Sequence, residues 1–208
     1  MFDIQAADEL GLVGVGGNLE PEPLLAAYRQ GVFPWYEEGG PILWWCPDPR
    51  GIMPLDDFHV SRRLARKIRS GRLLVTSNRD FRAVMEGCAE RAEGTWITAE
   101  MMKAYQKLHG LGHAHSVEVW AEGKLVGGLY GVAVGRLFAG ESMFSRQSDA
   151  SKVALAWLVE HLRDRGFQLF DVQMVTEHTA RLGAIEISRG EYLCRLRKAL
   201  EGEAEFRP

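Results

Sequence analysis

Cysteine is scarce in this chain, with three in 208 residues: Cys46, Cys88 and Cys194. Their odd number and wide spacing argue against a disulfide framework and a cysteine-based zinc site. No run approaches about 18 apolar residues, so no membrane-spanning helix and no membrane partner are expected. The opening residues, MFDIQAADELG, carry acids where an export signal would carry bases and then an apolar stretch, which favours the cytoplasm. There is no Gly-x-x-x-x-Gly-Lys loop, no dinucleotide fingerprint after a strand and no Gly-x-Ser-x-Gly elbow. A reaction driven by nucleotide hydrolysis within this chain is disfavoured, and no cofactor or metal is expected. Internal repeats and low-complexity tracts are also missing.

Bases are nearly absent from one part of the chain. Residues 1–60 hold 10 acids and 2 bases, whereas residues 61–208 hold 18 acids and 23 bases. An asymmetry of this kind fits either a nucleic-acid-facing surface or solvated helix faces. The first sixty residues are rich in Gly and Pro, with one clear helix over 21–30 that starts near Pro23 and stops at Gly31. The remainder alternates. Helices are expected at 61–70, 80–92, 98–109, 148–165 and 191–200, and strands at 73–76, 116–120, 125–135, 136–143 and 169–175. The pattern predicts an α+β fold, a mostly antiparallel sheet flanked by helices, with a small N-terminal domain over 1–60 and a larger one over 61–208.

The helix over 61–70 reads SRRLARKIRS. Between residues 58 and 79 there are seven bases and no acid. Arg62, Arg66 and Arg69 share one face, Arg63 and Lys67 lie beside it, and Leu64 and Ile68 can face the core. Charge this dense repels itself unless something negative docks; phosphate is the usual candidate, and pairing with the acidic N-terminal segment is the alternative.

Three other stretches could carry chemistry. In Ala139-Gly140-Glu141-Ser142-Met143-Phe144, Glu141 sits in an otherwise apolar strand, either as a salt-bridged core acid or as a holder of an ammonium group. Met143 and Phe144 beside it suggest an adaptable apolar pocket. In Phe170-Asp171-Val172-Gln173, a regular strand puts Asp171 and Gln173 on one face and Val172 on the other. A carboxylate beside an amide can position a nucleophile that carries a proton, or it can be structural hydrogen bonding. His109, His113 and His115 are not at ligand spacing and read as turn and core residues. Finally, residues 33–36 (FPWY) and 43–51 (LWWCPDPRG) concentrate tryptophan where proline forbids a regular helix or central strand.

Taken together, GVFPWY (31–36), LWWCPDPRG (43–51), SRRLARKIRS (61–70), AHSVEVW (114–120), GGLYGVAVGRLFAGESMFS (127–145) and FDVQM…HTARLGA (170–184) resemble, in order and spacing, the leucyl/phenylalanyl-tRNA–protein transferases. The resemblance spans nearly the whole chain. It implies a GNAT-like, acetyltransferase-type domain after a small N-terminal one. It also implies a cytoplasmic enzyme that moves Leu or Phe, and to some extent Met, from aminoacyl-tRNA to proteins beginning with Arg or Lys, marking them for degradation.

The residue roles it implies are these. Asp171 orients Gln173, whose carbonyl oxygen accepts an amine proton, and Glu141 holds a cationic group. Met143, Phe144, Phe170 and Trp96 form the side-chain pocket. Trp44 or Trp45, with Trp96, stacks on the terminal adenosine, and Arg62, Arg63, Arg66, Lys67, Arg69 and Arg72 hold tRNA phosphates. Of the two adjacent tryptophans, one is expected in the core and one in the site. A monomer is expected. The chain departs from the family at Val172, where Cys is frequent, at Arg181, where Ser is common, and at Ser188, where Pro is common.

Three rivals are weighed against this. An acyl-CoA enzyme would need a glycine-bearing pyrophosphate loop, which SRQSDASKVAL (145–155) lacks. A transferase acting on cell-wall precursors would differ in its acceptor. A tRNA-binding module without catalysis would leave Glu141, Asp171 and Gln173 without a task.

Overall fold

The computed structural model describes residues 2–90 and 94–207. In chain order its elements are β1 (Leu12–Val15), α1 (Pro21–Arg29), β2 (Phe33–Pro34), β3 (Leu43–Trp45), β4 (Arg50–Ile52), α2 (Arg62–Arg69), β5 (Leu74–Ser77), α3 (Phe81–Ala89), α4 (Ala99–Gly110), β6 (Ala114–Ala121), β7 (Lys124–Val134), β8 (Leu137–Ser145), α5 (Ala150–Asp164), β9 (Leu169–Gln173), α6 (Glu177–Ala180), β10 (Ile185–Ile187) and α7 (Arg189–Leu200). Strands β1, β3 and β2 form a three-stranded sheet, and the other seven form a sheet in the order β10-β4-β9-β8-β7-β6-β5. Among the described residues only β8 and β9 run parallel, joined through α5. The α+β architecture, with a mostly antiparallel sheet between helices, is therefore the one expected.

Helix starts follow side-chain chemistry. Pro21 opens α1. Ser61 caps α2 by accepting from Leu64 N at 3.2 Å, Thr98 caps α4 by accepting from Met101 N at 3.1 Å, and Ser188 caps α7 by accepting from Glu191 N at 3.2 Å. Ser188 thus serves a helix start that a proline could also open. Helix α3 ends at Ala89; the expected residues 91 and 92 lie outside the described residues.

The long strand β7 divides the core by its period of two. Tyr130, Val132 and Val134 face one cluster with α3 and α4, while Leu129 and Ala133 face another with α5. The first cluster also holds Leu24, Leu25, Tyr28, Phe33 and Trp44. The N-terminal segment therefore shares its apolar core with the large sheet. The sheets, moreover, part before residue 60: β4 pairs with β9 through Gly51–Gln173 and Ile52–Asp171, inside the seven-stranded sheet. β4 thus joins the seven-stranded sheet from within the first sixty residues and brings Arg50 and Gly51 next to β9, as shown below.

Candidate active site

Glu141 lies on β8 beside Gly140, half-buried, where the carboxyl meets three elements. Tyr28 of α1 donates to its Oε1 at 2.7 Å, Tyr105 of α4 to its Oε2 at 3.1 Å, and the Gln173 amide to Oε1 at 3.3 Å. Burial raises the Glu141 carboxyl to about 7; the tyrosine donors pull it back, Asp171 pushes it up and Arg50 pulls it down. Burial, followed by the Glu141 charge, holds both tyrosine hydroxyls well above their ordinary range.

Asp171, on the neighbouring strand, is set differently. Its Oδ1 accepts Arg50 Nε at 2.9 Å and Gln173 N at 2.9 Å; its Oδ2 accepts an Arg50 terminal nitrogen at 2.6 Å and the Tyr192 hydroxyl at 2.8 Å. Both side chains of the ion pair are 1% exposed. The guanidinium lies 4.9 Å from the Phe33 ring centre and 4.3 Å from that of Tyr192, and it also reaches Gly31 O at 3.0 Å. Four donors occupy the carboxylate. Asp171 is a fastening, and what it fastens is the backbone of Gln173 rather than its amide.

Gln173 ends β9 with φ +56°, in the left-handed region that side chains with a Cβ seldom enter. Met174 N donates back to Val172 O at 2.7 Å, so Gln173 stands at the apex of a three-residue turn. The turn explains a departure from the expected alternation. Val172 and Gln173 line the same two cavities, whereas Asp171 lines neither and points to Arg50. Gly51 sits directly across: a Cβ there would come within 2.8 Å of the Met174 carbonyl carbon and 2.9 Å of Val175 N. Only glycine lets β4 approach this turn.

Two cavities of about 310 Å³ each share Glu141, Val172, Gln173, Met174 and Thr176. One continues into an apolar recess of Leu129, Met143, Leu155 and Phe170. The other opens past Phe33 to Trp35 and Trp96, the rings it shares with a groove of about 780 Å³ that also carries Trp45. Glu141 and Gln173 thus stand where an apolar recess meets an aromatic groove.

Several expected residues fall elsewhere. Phe144 is not at the recess: it alternates away from Met143 and buries its ring against α3, where a Cβ on Gly87 would be 2.7 Å from it. Trp96 lines the groove side, not the recess. Trp44 is 4% exposed, donates to Gly16 O at 2.8 Å and packs on Phe2, so it belongs to the core. Trp45 reaches the groove and donates to Trp35 O at 2.7 Å.

On α2, Leu64 is buried but Ile68 is 41% exposed. Arg63 pairs with Asp149 at 3.1 Å and Lys67 donates to Ser148 O, so their partners lie at the start of α5, not in the acidic N-terminal segment. Arg62, Arg66, Arg69 and Arg72 are exposed and make no ion pair among the described residues. Arg181 turns outward to Glu177. His109 stacks on Phe81, and His115 stacks on Phe206.

Reading the sequence missed Trp35, Tyr28, Tyr105, Arg50, Tyr192 and Gly51. Two signals were available: Trp35 stands in the quoted aromatic cluster, and Arg50 is one of two bases among sixty residues. The tyrosines lie far from Glu141 in sequence and carry no local signal.

The family described as leucyl/phenylalanyl-tRNA protein transferase matches residues 52–197, and that described as its N-terminal domain matches residues 17–48. The leucyl/phenylalanyl-tRNA–protein transferase of Pseudomonas aeruginosa (strain LESB58) is 60% identical over 185 residues, covering 88% of this chain and 82% of that one. The protein of the same description from Pseudomonas entomophila (strain L48) is 55% identical over 197 residues, covering 93% and 87%. Among solved structures, L-PGS from Bacillus licheniformis aligns at 15% identity and a TM-score of 0.43 over 78% of this chain and 55% of that one. A GCN5-related N-acetyltransferase-like protein from Streptococcus suis aligns at 13% and 0.39 over 80% and 64%. Likeness at that level adds nothing to what the strand order shows. The family matches and the closely similar relatives decide the matter: the chain belongs to the leucyl/phenylalanyl-tRNA–protein transferase family.

Proposed function

We propose that this protein transfers Leu or Phe from aminoacyl-tRNA to the α-amine of proteins whose first residue is Arg or Lys. The observation that carries the reading is the junction at Glu141 and Gln173, with the recess of Met143, Leu155 and Phe170 on one side and the groove of Trp35, Trp45 and Trp96 on the other. An aminoacyl side chain fits the first, a terminal adenosine the second, and the ester joining them lies at the junction. Stacking a base on an aromatic ring contributes about 1–3 kcal/mol and tolerates any tRNA. The exposed arginines of α2 supply charge for backbone phosphates.

The ester is already activated, so no nucleotide is consumed. The acceptor α-amine, with an ordinary pKa of about 7.7–8.0, is partly neutral at physiological pH and is a competent nucleophile. Alignment is the main task, and the fixed turn at Gln173 suits it by presenting an amide where the amine must approach. Asp171 and Arg50 hold that turn. Glu141 faces the incoming ammonium. An apolar recess separates near-isosteres by only about 1–3 kcal/mol per methylene, so some Met is accepted. The reading places the protein in the cytoplasm with its charged tRNA, and its product is a protein marked for degradation.

The test is transfer of labelled Leu from Leu-tRNA to two peptides, one beginning with Lys and one with Ala. Label on the Lys peptide alone is expected. Equal label on both would remove the acceptor rule. No label on either, with tRNA bound, would reduce the protein to a tRNA-binding module.

A further inference from the structure

Glu141, Tyr28 and Tyr105 form a closed ring of oxygens. Tyr28 lies 2.7 Å from Oε1, Tyr105 3.1 Å from Oε2, and the two hydroxyls lie 2.6 Å apart. Each of these three contacts needs a proton between its oxygens. Two tyrosines bring two. An ionised Glu141 therefore leaves one short contact unfilled, whereas a neutral carboxyl fills all three. The Gln173 amide adds a donor to Oε1 at 3.3 Å, which partly supports the ionised form. The ring can hold either state, and the two differ by one proton and a reorientation of hydroxyls.

The surroundings keep this balance close. Behind the ring, Arg50 of β4 and Asp171 of β9 are paired with each other at 2.6 Å. Tyr130 of β7 meets the Tyr105 ring edge-on at 5.7 Å, and His178 of α6 stands on the recess wall. No Lys or Arg pairs with Glu141 among the described residues. Asp171 is taken up by four donors and lines neither cavity, so Glu141 is the carboxyl that faces the cavity.

We propose that Glu141, closed into a ring by Tyr28 and Tyr105, takes the proton released by the acceptor amine and returns it to the leaving ribose oxygen. This rests on the transfer function proposed above. The amine nitrogen lends its lone pair to the ester carbon, forming the C–N bond and moving the carbonyl π pair onto oxygen. Ionised Glu141 takes one proton from the now positive nitrogen, and the tyrosine hydroxyls turn to accommodate a neutral carboxyl. The oxygen pair then re-forms the carbonyl, the bond to the ribose oxygen breaks with its electrons going to that oxygen, and Glu141 gives it the proton. Ester and amine become amide and alcohol with no net proton change. A carboxyl balanced near 7 is suited to both halves of this exchange.

The experiment has two arms. The Glu141 carboxyl is followed by 13C NMR in the free protein, assigned against Glu141→Gln, and kcat is followed against pH with a Lys-started peptide. In wild type, the carboxyl and the rate titrate together near 7. Tyr28→Phe and Tyr105→Phe keep the packed rings and remove a donor to the carboxylate. Each moves both midpoints upward by about one pH unit, because a lost donor weakens the ionised form. Two variants on different helices guard against one failing to fold. A carboxyl that titrates near 4.5, or a rate midpoint that follows the peptide amine and ignores both variants, overturns the proposal. A wild-type protein that transfers nothing overturns the function, and the proton role with it, while leaving the NMR titration standing.

Discussion

Asp171 receives four hydrogen bonds, two of them from a guanidinium buried with it; Glu141, one strand over, receives two hydroxyls and an amide. Both are carboxyls of neighbouring strands in the large sheet, but only Glu141 lines the cavities. The first has a full-charge partner and a donor at every position, so its use is mechanical. The second has donors that can reverse, so its charge is negotiable. What separates the two is the partner each carboxyl is given: a cation immobilises it, while hydroxyls leave its proton in exchange.

The largest effect should come from breaking the fixed carboxyl. Arg50→Met leaves Asp171 buried without its cation, and urea unfolding should show a loss of about 3–5 kcal/mol. Adding Asp171→Leu should recover part of that loss without recovering transfer. A loss under about 1 kcal/mol for the single variant would make the pair dispensable.

The negotiable carboxyl should respond to pH instead. The folded protein holds Glu141 up at about 7 from an ordinary 4.5. Between those values the folded state binds more protons than the unfolded one, so stability falls as pH rises through this window. Glu141→Gln removes the penalty: at pH 8 it should be more stable than wild type by about 2–3 kcal/mol, with no difference at pH 4. A constant difference across that range would refute the linkage.

The smallest effect on stability belongs to Gln173. Glycine accepts φ +56° without strain but adds freedom to the unfolded chain, so Gln173→Gly should lie within about 1 kcal/mol of wild type. Transfer should still fall more than tenfold, because the amide is gone. A variant that keeps full activity would leave the Gln173 amide without a role.

Much of this fold could be read from the chain. The helix at 21–30 announced itself by Pro23 and Gly31, that at 61–70 by its basic face, and β7 and β8 by their length. The short strands β1 to β4 could not be read, since two to four residues among prolines and glycines carry no period. In the site, Glu141 and Gln173 were legible as polar residues in apolar strands. Their partners were not: Tyr28 and Tyr105 look like ordinary helix core, and Arg50 becomes meaningful only once β4 lies against β9. The left-handed turn at Gln173 broke the alternation on which the Asp171–Gln173 expectation rested, and nothing in Phe-Asp-Val-Gln-Met signals it.

The inserted position of β4 has a consequence in time. Tyr28 reaches Glu141 across 113 residues of chain, Arg50 reaches Asp171 across 121, and Arg50 reaches Tyr192 across 142. Contacts so distant in sequence close late in folding and slow it. A chain still being synthesised has its aromatic groove and its first tyrosine long before it has the strand that carries Gln173, or the helix that fastens Asp171. The fastening of Arg50, Asp171 and Tyr192 therefore cannot close until nearly the last helix has been made.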